Sequence, residues 1–289
     1  MDDVGVVQPG EGELIVVATP LGNLGDITSR ALAVLERADV VYCEDTRHSR
    51  TIFSAFDIAT RGRLRALHEH NEASLCEEII AQVARGWVVA VVSDAGTPGI
   101  SDPGARVVAA VANAGLRVTT APGPSAVVAA LSVSGLATDR FVMEGFVSRR
   151  ASERAEAFGS WAEEPRTVVF YESPQRLART LHELALLYPE RRAVVARELT
   201  KMHEEVARAT LEELAARFAT RAVRGEVVVL IEGASPVDVD DEAVRAGLVG
   251  QLASGASLRD AASNVAEGLG VSRRRAYQMA LSMRNEPGV

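Results

Sequence analysis

Residues 93–104 read S-D-A-G-T-P-G-I-S-D-P-G and gather the groups best suited to hold a small polar ligand. Asp94, Thr97, Ser101 and Asp102 supply short polar side chains able to fix a ribose or an amino group. Gly96, Gly99 and Gly104 permit close backbone approach or positive φ, and Pro98 and Pro103 stiffen the loop. A strand-to-helix connection normally takes about 2–6 residues, so this stretch is long for a turn and reads as a binding loop. Two other groups of reactive side chains stand out, Glu44-Asp45-Thr46-Arg47-His48 and His68-Glu69-His70-Asn71-Glu72. In the second, two histidines beside Glu69 and Glu72 suggest a metal site. With no third histidine at ligand spacing, hydrogen-bonding loop residues are the expectation, and no metal is assigned.

Several chemistries are excluded by pattern. No G-x-G-x-x-G occurs, and the sole lysine, Lys201, follows Thr200 rather than glycine, which rules out a P-loop. Gly123-Pro124-Ser125-Ala126-Val127 begins like a nucleophile elbow but lacks the closing glycine. There is no H-E-x-x-H zinc motif.

The elements that must position these groups alternate regularly. Leu14–Thr19 reads as a buried strand ending in Pro20-Leu21-Gly22-Asn23-Leu24-Gly25, and Ser29–Arg37 as a helix capped by Thr28. Strands are expected at Val40–Cys43, Leu64–Leu67, 87–92 and Arg117–Thr120, with helices at Ser74–Arg85, Ala105–Ala114 and Ala126–Val133. Such βα alternation gives a mostly parallel sheet covered on both faces, whose ligands bind outside the carboxyl ends of the strands. The three glycine- and proline-bearing turns all fall at such ends. A second α/β unit begins near Phe141, with strands at Phe141–Glu144, Thr167–Tyr171, Ala193–Ala196 and Glu226–Ile231 and helices at Glu153–Trp161 and Gln175–Leu187. Residues 236–241 read as a linker, and Glu242–Arg284 as all helical, with Ser257 and Ser272 as caps around a Gly268–Gly270 turn. That arrangement looks like a helix-turn-helix, with a helical tail packed on the body or on a partner subunit as the plainer alternative.

The domain boundaries expected are a loose leader over 1–12, α/β domains over 13–123 and 124–234, and a helical tail over 240–286. The net charge of −8 argues against wholesale coating of a polyanion, although every cation except Lys201 is an arginine. Cys43 and Cys76 are too few for a disulfide framework. No signal peptide and no apolar run of about 20 residues is visible, so the chain reads as cytoplasmic.

Together the blocks T-P-L-G-N-L (19–24), E-D-T-R-H (44–48), L-H-E-H-N-E (67–72) and V-S-D-A-G-T-P-G-I-S-D-P-G (92–104) carry a resemblance. P-G-P-S-A (122–126), D-R-F (139–141), P-R-T-V-V-F-Y-E-S-P-Q-R (165–176), R-E-L-T-K (197–201) and R-G-E-V-V (224–228) extend it. In this order they resemble the tetrapyrrole methylase superfamily, and within it the branch that methylates the ribose 2′-hydroxyl of a cytidine in 16S ribosomal RNA, in the decoding region of the small subunit. The resemblance runs from about Leu14 to Gly233, and the helical tail is similar to that of the same branch.

It implies two α/β domains with a cleft between them for S-adenosylmethionine, plus the helix-turn-helix-like tail and a homodimer; the lack of a spanning apolar run adds the expectation of no membrane partner. Asp94, Ala95, Gly96, Thr97, Pro98 and Ile100 would line the donor pocket, closed by Ser125 and Ala126 and completed by Tyr171, Glu172, Ala196, Gly225 and Glu226. Where the wider superfamily has G-D-P, this chain has Gly96-Thr97-Pro98, so a carboxylate role at 97 is not transferable. Candidate catalytic residues are Lys201, Asp45, Glu44 and Glu198, with His48 beside them; Lys201, the one amine in an arginine-rich chain, is a candidate proton acceptor. Arg47, Arg50, Arg149, Arg150, Arg273 and Arg274 are candidate RNA contacts. The alternative is an enzyme of the same fold acting on a small tetrapyrrole or corrinoid precursor; a nucleic-acid-binding regulator without catalysis fits the elaborate loops poorly.

Overall fold

The computed structural model describes residues 12–234 and 240–285. The first half runs β1 (Glu13–Val17), α1 (Ser29–Arg37), β2 (Val40–Cys43), α2 (Thr46–Ala55), β3 (Leu64–Ala66), α3 (Glu72–Ala84), β4 (Val88–Val92), α4 (Ala105–Asn113) and β5 (Arg117–Ala121). Its five strands lie in the order β3-β2-β4-β1-β5, and all neighbours are parallel. A parallel sheet needs both faces covered, and the strands are apolar on both. Ile15, Val17, Val41, Ala90 and Val92 pack with Leu35 of α1 and Phe53 of α2. Leu14, Tyr42, Val89 and Val91 pack with Ile79 of α3 and Val107 and Val111 of α4. Glu13, buried at the start of β1, is paired with Arg37 at 2.7 Å and Arg117 at 3.2 Å.

The second half runs α5 (Ala126–Ser134), β6 (Phe141–Phe146), α6 (Ala151–Ser160), β7 (Thr167–Glu172), α7 (Leu177–Leu187), β8 (Arg192–Arg197), β9 (Glu205–Thr210), α8 (Leu211–Phe218) and β10 (Val227–Ile231). Its sheet has the order β6-β7-β10-β8-β9; β6 and β7 are parallel, the other neighbours antiparallel. One face is filled by Phe158, Trp161, Phe170, Leu181 and Phe218, the other by α5 with Val127, Ala130 and Leu131. Leu21, from the loop after β1, joins this second cluster and so ties the halves together. Both sheets fall in one compact unit, covering residues up to 162 and 166–232.

The remaining unit, residues 163–165 and 233–289, holds α9 (Asp241–Ala253), α10 (Leu258–Leu269) and α11 (Arg273–Asn285). These close on a small core of their own around Val244, Leu248, Val265, Ala266, Ala276 and Ala280. Ser257 accepts from the Asp260 N–H, Ser272 from that of Arg275, and Gly270 takes φ +67 where α10 stops. The expected leader lies outside the described residues except for Gly12, as does most of the expected linker and residue 286 of the tail.

Three elements were not expected from the sequence. The block Glu44–His48 runs into α2, whose N-cap is Asp45. Strand β9 alternates charged and small residues on the sheet edge, and α8 starts with a capping box between Thr210 and Glu213.

Candidate active site

Strand β4 ends at Val92, and the loop that follows is pinned along its length. Thr19 and Gly96 exchange backbone hydrogen bonds of 2.8 and 3.0 Å, and the Thr19 hydroxyl donates to the Ser93 carbonyl at 3.0 Å. The Thr97 hydroxyl donates to the Pro124 carbonyl at 3.1 Å, joining the loop to the entry of α5. Beyond the loop, the buried Glu72 carboxylate accepts from the backbone N–H groups of Gly104, Arg106 and Val107 at 2.9, 2.8 and 3.3 Å. It satisfies the exposed donors at the start of α4. Glu72 is therefore a structural cap, and among the described residues no group of three or more His, Cys, Asp or Glu is arranged to hold a metal.

Over this loop lies a cavity of about 370 Å³, enough for a ligand of nucleoside size. Its walls come from the loop after β1 (Leu21), the loop after β4 (Asp94 to Asp102), the start of α5 (Ser125, Ala126) and the ends of β6 and β7 (Phe146, Tyr171). Residues 225–228, at the start of β10, complete it. Of the donor-pocket residues expected from sequence, all but Pro98 and Ala196 line it. Pro98 is buried beneath its own loop, and Ala196 is fully buried in the packing between α5 and the second sheet. Glu172 reaches the cavity but is committed to structure. Its carboxylate accepts from Ser173 N, the Thr180 hydroxyl and the Arg176 guanidinium, each at 2.6 Å.

Ser101 and Asp102, expected as ligand-fixing loop residues, line the cavity, as does Leu21 from the turn after β1, whereas Phe146, Ser173, Pro174, Val227 and Val228 were not singled out in the sequence. Phe146 is the most informative of these. The β6–β7 register shifts between Met143 and Phe146, and Gly145 at φ +71 makes that bulge possible. The bulge leaves Phe146 exposed, its ring 5.3 Å from that of Tyr171. A glycine inside an otherwise apolar strand, V-M-E-G-F, is the signal that marks such a bulge.

Of the candidate catalytic groups, none lines the cavity. The Lys201 ammonium lies 2.8 Å from Glu198 and 3.3 Å from Glu226, itself a lining residue. Burial pulls its pKa down, but the two carboxylates outweigh that and the net shift is upward, the reverse of what a proton acceptor needs. Glu198 also accepts from the Glu226 N–H at 3.1 Å; burial pushes its pKa up, while Lys201 and that N–H carry it below the usual range. Asp45 caps α2 and receives the Arg47 guanidinium at 2.8 Å, which holds its carboxyl at about 2. Its N–H donates to Asp94 at 3.2 Å. Glu44 is pushed up by burial and then by Asp94, Glu69 and Asp45. Asp102 is pushed to about 6 by burial and then by Glu44 and Asp94.

The candidate RNA contacts fall in three places. Arg47 and Arg50 share one face of α2, and Arg47 is held by Asp45. Arg149 and Arg150 precede α6, with Arg150 paired to Glu153 at 2.7 Å; the buried Arg154 supports their loop by donating to the Ser148 and Arg149 carbonyls. In the helical unit, Arg273 and Arg274 line a groove with Arg259, Ser263 and Tyr277.

The family model of the tetrapyrrole (corrin/porphyrin) methylases matches residues 13–215. A relative in Synechocystis is 43% identical over 94% of this chain and 98% of its own length, and one in Mycobacterium tuberculosis is 44% identical over 96% and 97%. Both are named ribosomal RNA small subunit methyltransferase I. Among solved structures, the methyltransferase CobJ aligns with a TM-score of 0.57 at 22% identity, over 79% of this chain and 97% of its own. Diphthine synthase aligns at 0.56 and 17%, over 76% and 89%. These two likenesses concern the fold.

Proposed function

This chain belongs to the tetrapyrrole methylase family, and from that premise we infer that it is an S-adenosylmethionine-dependent methyltransferase of small-subunit ribosomal RNA. The observation that carries the reading is near-full-length identity above 40% to relatives bearing that name, joined to a cavity with suitable chemistry. Asp94, Asp102 and Glu226 put three carboxylates around the space, a good match for a donor that is a sulfonium cation with an ammonium group. The Phe146–Tyr171 pair offers aromatic surface to a purine. When bound, the donor supplies an electrophilic methyl group and leaves as a neutral thioether.

The protein's task is then positioning. The Thr19–Gly96 bridge and the Thr97–Pro124 bond hold the donor loop against both halves of the fold. Lys201, clamped between Glu198 and Glu226, fixes the far wall. The finer proposal is transfer to the 2′-hydroxyl of a cytidine in the decoding region, by a cytoplasmic homodimer that contacts the subunit through Arg47, Arg50, Arg149, Arg150, Arg273 and Arg274. Among the described residues no helix is long and apolar enough to cross a membrane. Near-full-length identity to relatives named for ribosomal RNA disfavours the small-molecule alternative.

The test is transfer of labelled methyl from S-adenosylmethionine to small subunits from cells lacking the enzyme, followed by nucleoside analysis. Label in 2′-O-methylcytidine is the expected result. Donor binding without label in RNA would move the acceptor to a small molecule, and absence of donor binding would overturn the reading.

A further inference from the structure

We propose that Asp102 is a catalytic residue, the carboxylate that accepts the proton of the attacking hydroxyl; this rests on the proposed function above. Asp102 is the one acidic side chain lining the cavity that, among the described residues, has no cation beside it and no helix or backbone donor to serve. Glu172 is saturated by three donors, Glu226 is bound to Lys201, and Asp94 accepts from Asp45 N. Among the described residues Asp102 forms no ion pair, and the nearby Ser93 hydroxyl is directed at the Ala95 and Gly96 carbonyls.

Its placement is enforced by the chain on either side. Ser101 is in the left-handed region at φ +62, a conformation that a residue with a side chain adopts only when its surroundings compel it. Gly99 N donates to the Pro103 carbonyl at 3.1 Å across the tip of the loop, and Gly104 is held by Glu72. On the other side, a Cβ on Gly145 would stand 3.4 Å from the Ser101 hydroxyl oxygen, so the β6 bulge packs directly on the residue before Asp102. The two halves of the fold thus meet at this point.

The groups facing Asp102 come from four elements. Glu44 follows β2, Ser93 and Asp94 follow β4, Glu226 precedes β10, and the Tyr171 hydroxyl sits on β7. Three are carboxylates, and they act with burial to raise the proton affinity of Asp102. The same field pushes Tyr171 to about 12, burial first and then Asp102 and Glu226, so that phenol keeps its proton. In the transfer step the ribose oxygen forms its bond to the methyl carbon. The carbon–sulfur bond breaks with its electron pair passing to sulfur, and the hydroxyl proton passes to an Asp102 oxygen, to be lost to solvent after product leaves.

The test compares wild type, Asp102→Asn and Asp102→Glu in single-turnover methyl transfer to small subunits across pH 5–9, with donor affinity measured by calorimetry. The free-protein Asp102 carboxyl is also titrated by carbon-detected NMR. Expected are a wild-type rate that rises with pH and levels off, a fall of about 100-fold or more for Asp102→Asn, partial recovery in Asp102→Glu, and a loss of donor affinity much smaller than the loss of rate. The NMR midpoint should stand well above an ordinary aspartate's. An Asp102→Asn protein that keeps the wild-type rate or pH profile, or a carboxyl titrating near 4, would overturn the proposal alone. A wild-type protein that binds donor yet methylates no subunit would overturn the RNA reading first.

Discussion

Lys201 lies along Gly22 so closely that a Cβ on the glycine would stand 2.5 Å from the lysine Cγ and Cε. The contact joins the loop after β1 to the loop after β8, and the amine continues to Glu198 and Glu226. Gly22→Ala should therefore displace the lysine and loosen both loops, at a cost of about 1–2 kcal/mol. Lys201→Ala should relieve part of that cost. A double-mutant cycle by urea unfolding should give a coupling of about 0.5 kcal/mol or more; additivity within error would contradict the contact.

Glu72 tests the far end of the loop after β4. Glu72→Ala leaves three N–H groups at the head of α4 without an acceptor and should cost about 3 kcal/mol. Glu72→Gln keeps one acceptor oxygen and should cost about 1 kcal/mol. Chemical denaturation gives both numbers, and calorimetry should show weaker donor binding for the alanine variant even where it is fully folded.

The aromatic wall is accessible to a simple measurement. Phe146→Ala should weaken donor affinity by about fivefold to tenfold with little change in melting temperature, because the ring is exposed. Gly145→Val should do more, since it forces a branched residue to φ +71 and toward Ser101.

Asp102 makes the free protein's stability depend on pH in a particular direction. Its carboxyl is raised to about 6 in the folded state, so the folded protein binds the extra proton between the unfolded value of about 4 and 6. That stability is present below about pH 4 and is lost as pH rises through 6. Asp102→Asn should therefore raise the melting temperature at pH 7.5 and leave it unchanged at pH 4. Asp45, Glu183 and Glu205, each held at about 2 by arginine partners, act oppositely and favour the fold above pH 4. Equal melting shifts at both pH values would contradict the assignment to Asp102.

The helical unit is expected to act through phosphate contacts. Arg273→Ala and Arg274→Ala should each weaken subunit binding and lower the slope of log affinity against log salt, by about 0.7 if the contacted RNA is single-stranded. Donor affinity of the free protein should not change. An unaltered salt slope would remove these residues from the interface.

Much of the loop after β4 was legible because glycine, proline and short polar residues follow a strand made almost wholly of valine, a combination with few structural uses. The parallel first sheet was legible from apolar runs such as Val88–Val92. The second sheet was harder, because β9 carries Glu205 and Arg208 in an edge position where the apolar signal is weak. Lys201 stood out by rarity, yet its two carboxylate partners lie on either side of a 25-residue separation between Lys201 and Glu226. Asp102 was visible as a polar loop residue, but its isolation from cations depends on distances that no pattern encodes.

The positions of β1 and β10 bear on how the protein matures during synthesis. β1 is made first yet sits between β4 and β5, with Glu13 opposite Val88 and Arg117. Its apolar residues must wait for β4 and then β5 to emerge, although the Glu13 charge can meet Arg37 of α1 much earlier. β10 is the last strand made and enters between β7 and β8, carrying Val227 and Val228 into the cavity wall. A nascent chain that halts before residue 227 has every other wall of the pocket but an open seam in its second sheet. Val227 and Val228 are thus the last of the lining residues to be made, and β10 completes the cavity wall.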